Sequence, residues 1–252
     1  MGQKSAHYFI TGVSSGIGKA LTELLCQRGH KVSGLARRQS LLDDLENRLI
    51  GFTGYAVDVC DHQAVADAAE QAAASYGAID VLIPNAGIYQ PQEAGHIDLS
   101  AFQRHMDVNY MAVIACLAAV LPEMQKTNKG HVALMASVAG YRGLPRSIAY
   151  GPTKAAIINL AESLRFDLQN TGIKLQVINP GFVETEATAV NDFVMPDIIS
   201  ADKAALEILA GLSSDKFEIA FPKSFARKMK WLKLLSNDIY FKIVSSATNT
   251  KK

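Results

Sequence analysis

The sequence predicts an α/β protein built on a doubly wound, parallel, seven-stranded sheet in one domain, followed by a C-terminal helical extension. Three observations carry this. Short apolar runs alternate with longer stretches of helical period, a glycine-rich turn follows the first run, and the charge balance breaks sharply near residue 223. Strands separated mostly by helices imply βαβ crossovers, and so a parallel sheet covered on both faces.

The apolar runs are His7–Thr11, Lys31–Ala36, Phe52–Val57, Val81–Pro84, Val132–Met135, Lys174–Asn179 and Phe217–Phe221. Between them, Gly16–Arg28, Asp61–Tyr76, Ser100–Lys126 and Ser147–Asn170 carry helical periodicity. With 252 residues, 49% of them hydrophobic, the chain has apolar material for a large core. No linker cuts the first 220 or so residues, so residues 1–222 form one domain and 223–252 an extension.

The formal net charge of +1 argues against a whole-chain nucleic-acid binder. It conceals an asymmetry: residues 223–252 hold eight Lys+Arg and one acid, while the preceding 222 hold 17 basic and 23 acidic residues. Cys26, Cys60 and Cys116 are far apart, without a CxxC, and are expected to be reduced, buried and inert. The histidines show no metal-ligand spacing, so no metal is expected. The N-terminus runs straight into a strand without a signal-like apolar core, and no run reaches the ~18 uninterrupted apolar residues of a bilayer span. A cytoplasmic location is expected.

Thr11 to Gly18 reads Thr-Gly-Val-Ser-Ser-Gly-Ile-Gly between the first strand and the first helix. Gly12 permits a tight turn, Gly16 lets the backbone approach a pyrophosphate, and Gly18 lets helix pack on strand. Ser14, Ser15 and Ile17 complete a turn whose helix N-terminus offers N–H donors to phosphate. At the end of the second strand, Ala36 stands where an acid would hold the ribose 2′-OH of NAD, and Arg37 and Arg38 follow. Two guanidiniums without an acid suit a 2′-phosphate, which favours NADP(H).

Tyr150 and Lys154 are four residues apart, on one face of a predicted helix. A free phenol titrates near ~10, and a neighbouring cation lowers it by about 1–3 units, which makes the pair a sensible proton relay. Ser137 ends the fifth strand, Asn109 lies in the long helix 100–126, Asn85-Ala86-Gly87 ends the fourth strand, and Pro180-Gly181-Phe182-Val183-Glu184-Thr185 follows the sixth. All gather at the edge of the sheet where α/β folds bind ligands. Taken singly, each has a plainer explanation: Asp58 capping the helix near Asp61, Asn109 satisfying a helix bend, Ser137 or Thr185 serving a turn.

In this combination and order, the motifs resemble the classical short-chain dehydrogenase/reductase family: TGxxxGIG at 11–18, Asp58, NAG at 85–87, Asn109, Ser137, YxxxK at 150–154 and PGxxxT at 180–185. The resemblance covers about residues 5–221. It implies a Rossmann-like domain and hydride exchange between a nicotinamide and an alcohol/carbonyl pair. It further implies Tyr150 as general acid–base, Lys154 lowering its pKa and binding the nicotinamide ribose, Ser137 positioning the substrate oxygen, and Asn109 holding a water that links Lys154 to solvent. Asp58, with Val59, would meet the adenine, Asn85 in the 85–87 turn would flank the adenosine ribose, and Thr185, in the loop of Pro180, Gly181 and Val183, would meet the carboxamide.

Two features depart from the family. Pro84 stands where an Asn often precedes NAG, and the last strand leads to Pro222 and thirty further residues in place of the short ending common in tetramers. A homodimer through helices 100–126 and 147–170 is therefore expected. In the extension, Phe225, Met229, Leu232, Leu235, Ile239 and Ile243 recur at helical steps, with Lys223, Arg227 and Lys230 on another face and Trp231 and Tyr240 at the borders. That stripe fits packing on its own domain or on a partner subunit, a peripheral membrane contact, or an active-site lid. Residues 186–200, largely apolar, are expected to select a moderately hydrophobic carbonyl or alcohol. The alternatives are an NADP(H)-binding redox sensor without turnover, or a membrane-surface protein acting through its tail. The relay of Asn109, Ser137, Tyr150 and Lys154 argues against the sensor.

Overall fold

The computed structural model describes residues 5–95 and 97–248. Seven strands, β1 (His7–Thr11), β2 (Lys31–Ala36), β3 (Phe52–Ala56), β4 (Val81–Ile83), β5 (Gly130–Met135), β6 (Ile173–Pro180) and β7 (Glu218–Phe221), form one sheet in the order β3-β2-β1-β4-β5-β6-β7. Every pairing is parallel. Alternate side chains feed opposite layers. Tyr8 and Ile10 of β1 pack with α1 (Gly16–Gln27), α2 (Gln39–Arg48) and α7 (Ala201–Leu212), whereas Phe9 joins α3 (His62–Tyr76), α5 (Ala112–Thr127) and α6 (Tyr150–Leu168). Both faces are buried along β1, β2, β4 and β6, which is why these strands read as largely apolar runs, while β3 at the edge is part-exposed. The strand order reverses between β1 and β4, and such a switch point opens a crevice beyond the strand C-termini.

Helices α2 and α7 lie beyond the stretches that periodicity marked. Only Leu42 and Leu45 of α2 are buried, too few to give a visible stripe in ten residues. Ser200 caps α7 by accepting from the Lys203 N–H at 3.2 Å.

The predicted helix 100–126 is divided. α4 (Leu99–Met106) meets α5 through a π turn at Asp107–Met111, and Asn109 sits in that turn, fully buried. By length and hydropathy the run Leu99–Thr127 would suffice to cross a membrane. Val113, Cys116, Leu117, Val120 and Met124, however, are buried in the core of this domain.

The extension is also divided, into α8 (Lys223–Lys233) and α9 (Asn237–Ala247), so the break at 234–236 resets the apolar stripe. Phe225 and Met229 are buried as the stripe requires, but in α9 the buried side chains are Tyr240 and Val244, while Ile239 and Ile243 are exposed. Residues 249–252 of the predicted extension lie outside the described residues. Cys26 and Cys116 are buried, but Cys60 is exposed, contrary to expectation, because it lies in the turn between β3 and α3.

Candidate active site

One cleft of about 1320 Å³ runs along the C-terminal edge of the sheet, from Arg37 and Asp58 at one end to the extension at the other. Its first wall is the glycine turn. Gly12 (φ +75°) and Gly16 (φ +54°) adopt left-handed backbone that favours glycine. A Cβ on Gly12 would stand 2.9 Å from Ala86 Cα, and one on Gly16 would stand 2.9 Å from Thr185 Cγ2. The turn is thus pressed against the segments that follow β4 and β6, with Ser14, Ser15, Ile17 and Gly18 also lining the cleft. A narrow backbone cradle at a helix N-terminus fits a dinucleotide pyrophosphate.

Asn85 ties this wall together: its side-chain amide donates to the Thr11 carbonyl at 2.8 Å, while the Thr11 hydroxyl accepts from the N–H groups of Asn85 and Ala86. β4 stops at Ile83, so Pro84 stands just past the strand, where its missing N–H breaks no pairing. Asp58 lines the cleft with Val59, and its Oδ1 accepts from the Cys60 N–H at 3.0 Å. The cap of α3 is Asp61, which removes the plainer explanation of Asp58.

At the centre, Ser137, Tyr150 and Lys154 converge. Tyr150 opens α6 and Lys154 follows one turn later, its Nζ 5.7 Å from the Tyr150 ring centroid. Ser137 ends the chain leaving β5; its hydroxyl donates to the Pro180 carbonyl at 3.3 Å and accepts from the Ala139 N–H, so it serves a turn as well. Burial drives the Tyr150 phenol up to about 12, and a hydrogen bond from Ser137 opposes that rise. Burial also brings Lys154 down to about 8, and its ammonium donates to the Met135 carbonyl at 2.9 Å. Lys154 is not among the groups that move the phenol here, which departs from the expectation that it lowers the Tyr150 pKa.

Asn109 does not line the cleft. Its Oδ1 accepts from the Ile88 N–H at 2.8 Å and its Nδ2 donates to the Ile88 carbonyl at 3.0 Å, which fixes the loop after Gly87. A Cβ on Gly87 would lie 3.3 Å from Asn109 Oδ1 and 3.7 Å from Lys154 Nζ, so the π turn brings Asn109 up behind the lysine.

Comparison with known proteins agrees with this geometry. The family model described as short chain dehydrogenase matches residues 6–192. The chain belongs to the short chain dehydrogenase family. An uncharacterized oxidoreductase of Myxococcus xanthus is 32% identical over 235 residues, 92% of this chain and 93% of that one. A dehydrogenase/reductase SDR family protein 7-like of Drosophila melanogaster is 27% identical, over 94% of this chain and 78% of the other. Among solved structures, a short chain dehydrogenase of Burkholderia cenocepacia in complex with NADP superposes with a TM-score of 0.84 at 25% identity, covering 97% of this chain and 99% of that one. One of Burkholderia phymatum in complex with NAD gives 0.81 at 22% identity, covering 91% and 93%. The protein is an oxidoreductase of this family.

Within this short chain dehydrogenase the two arginines part company. Both are exposed and line the cleft, but Arg38 pairs with Glu186 at 3.3 Å and donates to the Ser14 hydroxyl at 3.2 Å, while Arg37 is in no ion pair among the described residues. An acid thus does approach the guanidiniums, from the loop after β6. Thr185, past Pro180, Gly181 and Val183 in the same cleft wall, uses its hydroxyl to cap a turn by accepting from the Thr188 N–H at 3.3 Å.

Among the lining residues, Tyr89, Arg146 and Val244 escaped the sequence reading. Tyr89 meets Tyr150 edge-on, with centroids 5.2 Å apart; its only sequence signal is an aromatic just past the NAG turn. Arg146 pairs with Glu93 at 3.4 Å and also with Asp192, knitting the loop before α6 to the segment 186–200. Phe182 stacks edge-on with Phe193 of that segment and contacts Phe225 of α8, with centroids 5.8 and 5.6 Å apart. Phe225, Met229, Leu232 and Val244 of the extension line the cleft directly.

Proposed function

We propose that the protein transfers hydride between NADP(H) and a carbonyl/secondary alcohol pair on a moderately hydrophobic small molecule. The observation that carries this reading is the convergence of Tyr150, Ser137 and Lys154 on the cleft that begins at the glycine turn. The bound coenzyme would supply or accept the hydride. Gly12, Ser14, Ser15, Gly16, Ile17 and Gly18 would hold its pyrophosphate at the N-terminus of α1. Arg37, with no acid at Ala36, would meet the 2′-phosphate, and the NADP complex of the Burkholderia cenocepacia relative supports that preference.

Ser137 would hold the carbonyl oxygen and Tyr150 would deliver its proton to the same oxygen, or take it back in the reverse direction. A phenol raised to about 12 is protonated at neutral pH, so it holds the proton that the oxygen takes up as it gains negative charge. Lys154 would bind the ribose and assist the phenol once its ammonium turns from the Met135 carbonyl. Tyr89, Phe182 and Phe193 would keep water from the reacting oxygen. The test is saturable NADPH oxidation over a panel of apolar ketones and aldehydes, with Tyr150→Phe losing about 10²–10⁴-fold in kcat. Tight NADPH binding without turnover across the panel would favour the redox sensor instead.

A second, compatible reading is peripheral membrane contact through 223–252. It is supported by Trp231, Leu234, Ile239 and Phe241, exposed on a segment rich in lysine. Salt-sensitive pelleting with anionic vesicles, lost on deletion of 223–252, is the expected result. Identical pelleting of the full and truncated chains would defeat it.

A further inference from the structure

The cleft continues past the catalytic centre into a region that family motifs do not describe. There Leu144, Phe193, Met229, Leu232 and Val244 form apolar walls contributed by three separate segments, the last three from the extension. The extension is anchored in this place. Arg142, in the loop between Ser137 and Tyr150, donates to the carbonyls of Leu232 and Leu235 at 3.1 and 2.8 Å. The Tyr240 hydroxyl donates in turn to the Gly143 carbonyl at 2.6 Å. The wall of the cleft is therefore held by the same loop that leads into the catalytic helix.

Five cations line the cleft: Arg37, Arg38, Arg146, Lys154 and Lys228. Arg37 and Arg38 lie at the phosphate end, and Lys154 is bound to the Met135 carbonyl. Arg146 is matched by Glu93 and Asp192. Lys228, on α8 beside Met229, has no ion-pair partner among the described residues. The acids that line the cleft are Asp58 at the adenosine end, Glu186 on Arg38, and Asp192 on Arg146. An unmatched ammonium at the edge of an apolar channel recognises an anion joined to an apolar body.

We infer that the extension builds a second half of the substrate site, and that the substrate is an anionic amphiphile whose acidic group meets Lys228 while its apolar body lies along the extension. This rests on the reading of the cleft as a reductase site and names its substrate class. Lys223, Arg227, Lys230 and Lys233 are not part of that wall, and Lys230 is tied to Glu218. The surplus of positive charge on the extension thus has one member that lines the cleft, the exposed Lys228.

The test uses the full-length protein with NADPH present and compares calorimetric binding of decanoate and decan-1-ol at low ionic strength. Decanoate should bind about 5-fold more tightly, the upper end for a partly exposed ion pair. Lys228→Gln should bring decanoate to the affinity of decan-1-ol, and Lys228→Arg should keep the preference. Equal binding of the two by the unaltered protein, no binding of either, or a preference that survives Lys228→Gln would each overturn the inference. These outcomes are read from binding alone. Failure of the reductase reading shows instead as absent turnover on every carbonyl, so the two failures are separate.

Discussion

The guanidinium of Arg142 lies over the ring of Tyr240, with Cζ 3.9 Å from the centroid, while the Tyr240 hydroxyl donates to the carbonyl of Gly143, the very next residue. Two residues far apart in sequence thus lock face to face, and Arg142 also meets the open carbonyls of Leu232 at the end of α8 and Leu235 just past it. A cation over an aromatic face contributes about 0.5–2 kcal/mol. Arg142→Ala removes both the stack and the carbonyl contacts at once. It should release α9 first, so hydrogen exchange across Asn237–Ala247 should quicken while the sheet stays protected. Unchanged exchange in that segment would show that burial of Val244 alone holds the helix.

Glu218 forms the second tie. Burial raises its carboxyl, but hydrogen bonds from Lys230, Tyr141 and Asn179 outweigh that and hold the pKa below the usual glutamate value. A depressed folded pKa gives stability that is present above the unfolded value and is lost as pH falls through the folded one. The unaltered protein should therefore lose part of its stability below about pH 4.3, the ordinary glutamate value. Glu218→Gln should be destabilised by about 1–3 kcal/mol at neutral pH, since the buried Tyr141 hydroxyl loses its charged acceptor. Denaturant titrations of both proteins at pH 7 and pH 4 measure this, and the variant should show the smaller acid loss.

For the coenzyme, the unequal placement of the two arginines predicts unequal effects. Arg37→Asp should weaken NADPH about 10–100-fold and leave NADH nearly unchanged, since a charge-assisted hydrogen bond is worth about 1.5–3 kcal/mol. Arg38→Ala should cost far less, because its guanidinium is already given to Glu186 at an exposed site. Coenzyme fluorescence titrations of the two variants check the order, and equal losses for NADPH and NADH in Arg37→Asp would remove Arg37 from the phosphate site.

The strands and the glycine turn were legible because each is a local pattern: a buried run of four to six residues, or glycines where a side chain collides with Ala86 or Thr185. Ser137 was legible from its strand end, Tyr150 and Lys154 from their spacing on one helix face, and Asp58 from the family resemblance. Other features depend on tertiary packing that no period reveals. The break at 234–236 left Tyr240 and Val244 buried in place of Ile239 and Ile243, and the pairing of Arg38 with Glu186 joins segments 148 residues apart. The state of Lys154 was hidden for the same reason, since its neighbour in sequence is Tyr150 but its hydrogen-bond acceptor is the carbonyl of Met135.

That acceptor gives the last prediction. Burial holds Lys154 near 8 against an ordinary value of 10.5, so below pH 8 the folded chain carries a buried ammonium at full cost. Between about 8 and 10.5 the native state sheds this proton before the unfolded state does. The unfolded chain then binds more protons, and stability rises with pH across that window. Tyr150, raised to about 12, works in the opposite sense only above about pH 10, where an unfolded phenol ionises and the buried one does not. Comparing pH 7 with pH 9.5 therefore isolates the lysine. Relative to Lys154→Met, the coenzyme-free protein should gain about 2 kcal/mol of unfolding free energy over that interval, since each pKa unit is worth about 1.4 kcal/mol. The gain should fall when saturating NADPH is present, because a ribose hydroxyl that accepts from the ammonium stabilises its charged form. A pH dependence identical in the two proteins would mean that Lys154 stays hydrated enough to titrate normally, and that the proton relay proposed for Tyr150 starts from a different charge state.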